Sequence, residues 1–141
     1  MTTAAPVVFA AAFAALFAAH QVADHWIQTD AQARDKGLPG WRGRLADARH
    51  VATYTLTALA ALALIAWRLG LDLDPARVAA GLAVSAVTHW WADRRHTLKA
   101  LAARTGKANF YALADHGING AYLLDQSFHI GALFVAALLI A

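Results

Sequence analysis

The sequence predicts an all-α protein, a four-helix transmembrane bundle of up-down topology with both termini on the outer side. Three observations predict it. The 141 residues are 60% hydrophobic and 15% charged, against about 45–50% apolar and about 25% charged in an ordinary soluble domain. Four stretches carry almost no charge, and each approaches the length that crosses a bilayer. The basic residues gather in two of the three connections between them. The length fits one domain, 1–141, and apart from an Ala bias no repeat or low-complexity tract divides it.

The helices are expected at about 5–28, 48–68, 75–102 and 119–140. In the first, no charge precedes Asp24. Met1-Thr2-Thr3 lacks the basic n-region of a signal peptide, so the segment is expected to stay as a membrane helix. The second is uncharged from His50 to Trp67. The third opens with Asp74-Pro75, an N-cap followed by Pro at the first helical position, and runs uncharged from Val78 to Trp91. It reaches spanning length only if Pro75 to Arg94 is counted. The fourth, from about Gly120 to Ala141, contains the single charge Asp125. A soluble bundle would need polar outer faces at helical period. The second segment offers only Thr53, Thr55 and Thr57 for that purpose.

Orientation follows from the loops. Arg34, Lys36, Arg42, Arg44 and Arg49 lie in the first connection, and Arg94, Arg95, Lys99, Arg104 and Lys107 in the third. The second has Arg68 and Arg77, offset by Asp72 and Asp74. The positive-inside bias places both long loops in the cytoplasm, as for a multi-pass protein of the bacterial cytoplasmic (inner) membrane. Trp26, Trp41, Trp90 and Trp91 then fall at the inner boundary and Trp67 at the outer one, where aromatic belts form. Membrane lipid is the expected partner, with anionic headgroups at the basic loops. The Gly-rich run Lys36–Arg44 reads either as a phosphate-holding loop or as a turn-rich cytoplasmic connection. A net charge of +3 without a basic stripe argues against a nucleic-acid partner. Gly81 and Ser85 form a small-xxx-small pair, a packing or homo-oligomer face.

The chain has no Cys and all nine acids are Asp, so thiolate chemistry is excluded and carboxylate chemistry is Asp chemistry. The informative residues are three pairs at i,i+4: His20 with Asp24, His89 with Asp93, and Asp125 with His129. Such pairs share a helix face. Chance would supply about one. The order reverses to Asp–His in the fourth helix, as an antiparallel bundle requires if every Asp is to lie nearer the cytoplasm. Each His then sits about 6 Å deeper, four residues at about 1.5 Å each. His50 stands at the same end of the second helix. Ionisable groups at membrane depth cost roughly 2.5–3.5 kcal/mol each and face the bundle interior.

The set His20, Asp24, His50, His89, Asp93, Asp125 and His129 is therefore the candidate metal site, with Asp24, Asp93 and Asp125 as candidate catalytic carboxylates. Imidazole suits zinc or another divalent transition ion. Seven ligands exceed one tetrahedral site, so they supply one metal with its supporting shell or two metals. The alternative without a metal is three hydrogen-bonded Asp–His pairs that fix helix register. Gln28 shares the face of His20 and Asp24 and is placed at the entrance to the site. Asp115-His116 reads as a turn, and Ser85 and Thr88 as packing residues.

On His20-Gln-Val-Ala-Asp24 with Gln28-Thr29, Lys36-Gly37, His50, His89-x-x-x-Asp93 and Leu124-Asp125-Gln126-x-x-His129, the chain resembles a family of small bacterial integral membrane proteins known only as a domain of unknown function. The resemblance implies a four-helix membrane protein and no activity. A looser similarity is to membrane-bound metal-dependent hydrolases with His-x-x-x-Asp on transmembrane helices, although the acidic partners of those proteins have no counterpart here. The function expected is a metal-dependent, hydrolase-like site at the cytoplasmic interface, acting on an amphipathic or phosphate-bearing substrate. A proton or ion transport module working as an oligomer is the second reading. A structural or interaction protein with a hydrogen-bonded polar core is the third.

Overall fold

The computed structural model describes residues 4–141, so Met1-Thr2-Thr3, on which the question of a leader turns, lies outside the described residues. Its longest helices are α1 (Ala5–Val22), α3 (Gly40–Leu69), α4 (Pro75–Asp93) and α7 (Gly120–Ile140). Shorter helices α2 (Asp30–Asp35), α5 (His96–Arg104) and α6 (Ala108–Tyr111) fill the connections, together with a two-stranded ribbon, β1 (Ala114–Asp115) and β2 (Ile118–Asn119). α1 packs on α3 and α7, and α4 packs on the same two helices from the other side.

Local chemistry explains the ends. Pro6 lies in the first turn of α1, and Asp74 caps α4 by accepting from the N–H groups of Ala76 and Arg77. Gly70, with φ of 63°, closes α3 in the left-handed conformation that glycine adopts without cost. α1 ends in a π-helical turn, Ala23–Ile27, closed by Gln28 N–H donating to the Ala23 carbonyl at 2.8 Å. Such turns occur mostly as single bulges at functional sites, and this one contains Asp24. α2 begins with a capping box in which Thr29 and Gln32 serve each other's backbone N–H groups. The ribbon turns on His116-Gly117, both at positive φ, which confirms the turn expected there.

The core between the four long helices is small and apolar, with Ala12, Leu16, Ala58, Leu62, Leu133, Ala136 and Ile140 buried. The faces turned away from it carry Leu56, Leu64, Val87 and Leu138, all more than half exposed. Ala5–Ile27, Gly40–Leu69 and Gly120–Ile140 are long and apolar enough to cross a membrane. Trp41 and Trp26 are exposed at one end of the molecule and Trp67 at the far end of α3. A Cβ on Gly81 would come within 2.6 Å of Ile140 Cγ1 and 2.8 Å of the Ala136 carbonyl. Gly81 therefore serves the α4–α7 seam, whereas Ser85 faces Tyr54 of α3.

Three expectations are corrected. Helix 48–68 begins at Gly40, so the second half of the Lys36–Arg44 run is helix and not loop. The buried Gly43 permits this, because a Cβ there would collide with the Leu38 carbonyl. Helix 75–102 is not continuous: it stops at Asp93, the chain turns at Arg94-Arg95, and α5 restarts at His96. Arg95 makes the break, at φ 56° and ψ −48°, a backbone conformation that costs a non-glycine residue on the order of 1–3 kcal/mol. Asp47, just outside the helix expected at 48–68, is fully buried inside α3.

Candidate functional site

The four helices bring their ionisable residues together at the end where α2 and α5 lie. His20 and Asp24 come from α1 and its π turn, His50 from α3, His89 and Asp93 from α4, and Asp125 and His129 from α7. All seven sequence-predicted residues meet in this one cluster. His20, His50, His89, His129 and Asp93 are buried, Asp24 nearly so, and the Asp125 side chain retains 27% of its exposure.

At its centre the Nε2 atoms of His50 and His89 approach each other and one oxygen each of Asp24 and Asp93. His50 Nε2 lies 2.9 Å from His89 Nε2. It lies 3.4 Å from both Asp24 Oδ1 and Asp93 Oδ2. His89 Nε2 lies 3.6 Å from Asp24 Oδ1 and 3.3 Å from Asp93 Oδ2. Four N/O ligands at about 2.0–2.1 Å around a tetrahedral ion stand about 3.3–3.4 Å apart. The four imidazole–carboxylate separations, 3.3–3.6 Å, thus lie near the tetrahedral value, and the two imidazole nitrogens stand closer. Asp24 Oδ1 and Asp93 Oδ2 are buried and make no hydrogen bond, and a buried acceptor left so costs about 1–3 kcal/mol, more when charged. A register-fixing set of Asp–His hydrogen bonds would satisfy these atoms. The donor set, two imidazoles and two carboxylates, suits zinc or a related divalent ion, and these buried groups could hold one.

Around the quartet, His20 Nδ1 lies 3.4 Å from the other oxygen of Asp24. His129 Nε2 lies 3.5 Å from Asp125 Oδ1 and 3.9 Å from Asp93 Oδ1. The Tyr54 ring stacks on His89 at 4.0 Å between centroids, and its hydroxyl shares a 2.6 Å hydrogen bond with Ser85 Oγ. Tyr54 and Ser85 thus form the floor of the cluster, and Ser85 does more than pack.

Three residues of the site were not read as part of it. Lys36 Nζ lies 2.8 Å from Asp93 Oδ1 with only 12% of its side chain exposed. Arg94 is buried, donates to the carbonyls of Lys36 and Leu38, and lies 3.8 Å from Asp47. Arg94 therefore fixes the backbone from which Lys36 reaches Asp93. Their basic charge was taken for loop bias. Two signals pointed to more: Asp47 lies three residues before His50 on the same face of α3, and Thr29-x-x-Gln32 marks a helix in the first connection. In the same connection the largely buried Asp35 accepts from the exposed Arg42 at 2.8 and 3.0 Å, which holds its carboxyl below the usual range.

A cavity of about 440 Å³ opens onto the cluster, lined by Asp24, Asp93 and Asp125 together with Lys36, Arg95, Gln28 and Tyr122. Gln28 thus stands where the shared helix face placed it. The carboxylates meet this cavity and none of the four deep imidazoles lines it, so the Asp layer is the accessible one. Arg95 donates to the Ala33 carbonyl at 2.6 Å, which carries its strained backbone into the cavity wall. His25, on the rim, pairs with the Tyr122 hydroxyl at 3.0 Å.

Over residues 12–141 the sequence matches the family described as a protein of unknown function, DUF3307, and the chain belongs to it. Neither the curated proteins nor the solved structures contain a match to it.

Proposed function

We propose that the protein is a metal-dependent hydrolase of the bacterial inner membrane, with its site at the cytoplasmic face of an up-down four-helix transmembrane bundle. The observation that carries this is the approach of the buried Nε2 atoms of His50 and His89 to Asp24 Oδ1 and Asp93 Oδ2, at separations of 3.3–3.6 Å that two ligands of one ion would take. A divalent ion bound there would polarise a phosphoryl or acyl oxygen or lower the pKa of a water. α4 completes the bundle although it carries no stretch as long and apolar as those of α1, α3 and α7, because it supplies two of the four ligands and is flanked by α3 and α7.

The chain's own residues define the rest. His20 Nδ1 stands 3.4 Å from the other oxygen of Asp24, where a bound ion on Oδ1 would leave it to balance the carboxylate. Lys36 and Arg95 give the cavity a positive wall, suited to an anionic headgroup. Asp125, the most exposed carboxylate of the set, faces a substrate arriving there. Catalytic roles thus fall to Asp24, Asp93 and Asp125. The substrate is amphipathic, its apolar part lying along the exposed Leu and Val faces in lipid and its phosphate in the cavity. Beyond Tyr54 and Ser85 the core is closed by Leu16, Leu62 and Leu133, which favours chemistry at one face over transport through the bundle.

The test is elemental analysis of the full chain purified in detergent. At least one zinc or similar ion per chain is expected, with loss of that ion in His89→Ala. A protein that stays metal-free at saturating zinc would sink the reading.

A further inference from the structure

We infer that the site takes a second cation, joined to the first through the two oxygens of Asp93 and held on its other side by Asp125 and His129. This rests on the metal-centre reading above and fixes how many ions that centre holds.

The first ion leaves a remainder. It accounts for Asp24 Oδ1, Asp93 Oδ2 and the Nε2 atoms of His50 and His89. It does not account for His129 Nε2, which is buried in a side chain only 3% exposed and makes no hydrogen bond. That nitrogen faces two carboxylate oxygens, Asp125 Oδ1 at 3.5 Å and Asp93 Oδ1 at 3.9 Å. One ligand atom from each of Asp93, Asp125 and His129 falls within 4.8 Å of the others. Asp93 thus presents Oδ2 to the central quartet and Oδ1 to this second group. A carboxylate shared in that way is how paired metal ions are held side by side against one substrate oxygen.

Lys36 supports the same position. Its ammonium lies 2.8 Å from Asp93 Oδ1, so this oxygen already draws a cation. The Lys36 carbonyl is pinned by Arg94, and the residue lines the cavity, into which a cation at Asp93 Oδ1 would displace the ammonium. Charge sets the order of filling. Three carboxylates against one ammonium leave two negative charges, which the first divalent ion cancels. The second arrives at a neutral site and competes with Lys36, so it binds more weakly. An anion in the cavity then strengthens it, because the fully loaded centre is positive and Lys36 and Arg95 stand on the same wall.

Zinc titration of the full chain in detergent, read by elemental analysis after buffer exchange, tests this. Two ions per chain are expected at saturation, with the weaker one gaining at least tenfold in affinity when inorganic phosphate is added. Asp125→Asn and His129→Gln should each hold one ion and not respond to phosphate. Lys36→Met should bind the second ion at lower zinc. Manganese loading should give the spin-coupled resonance spectrum of adjacent ions in the wild type and an uncoupled one in Asp125→Asn. One ion per wild-type chain, or two that persist in both Asp125→Asn and His129→Gln, overturns the inference and leaves the single-metal reading standing. No ion at all overturns both.

Discussion

The same four helices build two unlike ends. Toward Trp67 and the end of α7, their inner faces carry Ala, Leu and Ile in close contact, and Gly81 lets α4 and α7 approach to the limit. Toward α2 and α5, the inner faces carry four imidazoles and four carboxylates, several with no hydrogen bond. The first arrangement is what packing alone selects. The second costs stability at each uncompensated group, so it persists only where something other than packing is served. The difference teaches where each property resides: cohesion in the apolar half, chemistry in the polar half, and Tyr54 with Ser85 as the boundary between them.

Separating the two halves by mutation should break or confirm that division. The largest effect is expected from Leu62→Ala in the apolar half. Leu62 is 1% exposed, so its truncation should cost about 2–5 kcal/mol, read as a lower thermal midpoint in detergent, while the number of bound ions stays that of the wild type. Loss of metal in Leu62→Ala would show that the halves are not separable. Next is Arg94→Met, which strips partners from Asp47 and from the Lys36 and Leu38 carbonyls. It should loosen the α2–α3 connection by about 1–3 kcal/mol, seen as faster amide exchange over residues 30–40, and lower metal affinity about 10–100-fold. Unchanged exchange there would remove Arg94 as the link between loop and site.

The smallest effect is in α2. Arg42 lowers the Asp35 pKa on folding, so this pair stabilises the chain above the unfolded-state pKa and loses that contribution as pH falls through the depressed folded value. Amide exchange in α2 should therefore rise only under acid conditions, and Arg42→Gln should weaken the pH dependence, Arg34 still donating to Asp35 at 3.2 Å, while leaving the cluster intact. An acid transition undiminished in Arg42→Gln would assign it to another group.

What was legible in the sequence follows the physics of each signal. Apolar run length and the i,i+4 pairing of His with Asp are properties of a single helix, and they located α1, α7 and every member of the cluster. The break after Asp93 depends on Arg95 taking a left-handed backbone, which no residue preference announces. The early start of α3 depends on Gly43 passing under the Leu38 carbonyl, a contact that exists only once α2 has folded back. Asp47, Lys36 and Arg94 were hidden for a related reason. Their charges match a cytoplasmic loop by count, and only the tertiary structure shows that two of them are turned inward and paired with carboxylates. The capping box at Thr29, by contrast, was readable and marks where a closer local reading would have gained an element.

The π turn has a consequence for the length of the chain. A turn of this kind holds one residue more than the α-helix around it, as an absorbed insertion does. Removing any one residue from Ala23–Ile27 would restore α-helical winding and rotate everything after it by about 100°. α2 would then leave its seat on α3, and with it Lys36 its place beside Asp93. Trp26 and Ile27 are exposed and can vary in kind, but the number of residues between Val22 and Gln28 is fixed. In this segment spacing is the heritable property, and side-chain identity matters at Asp24.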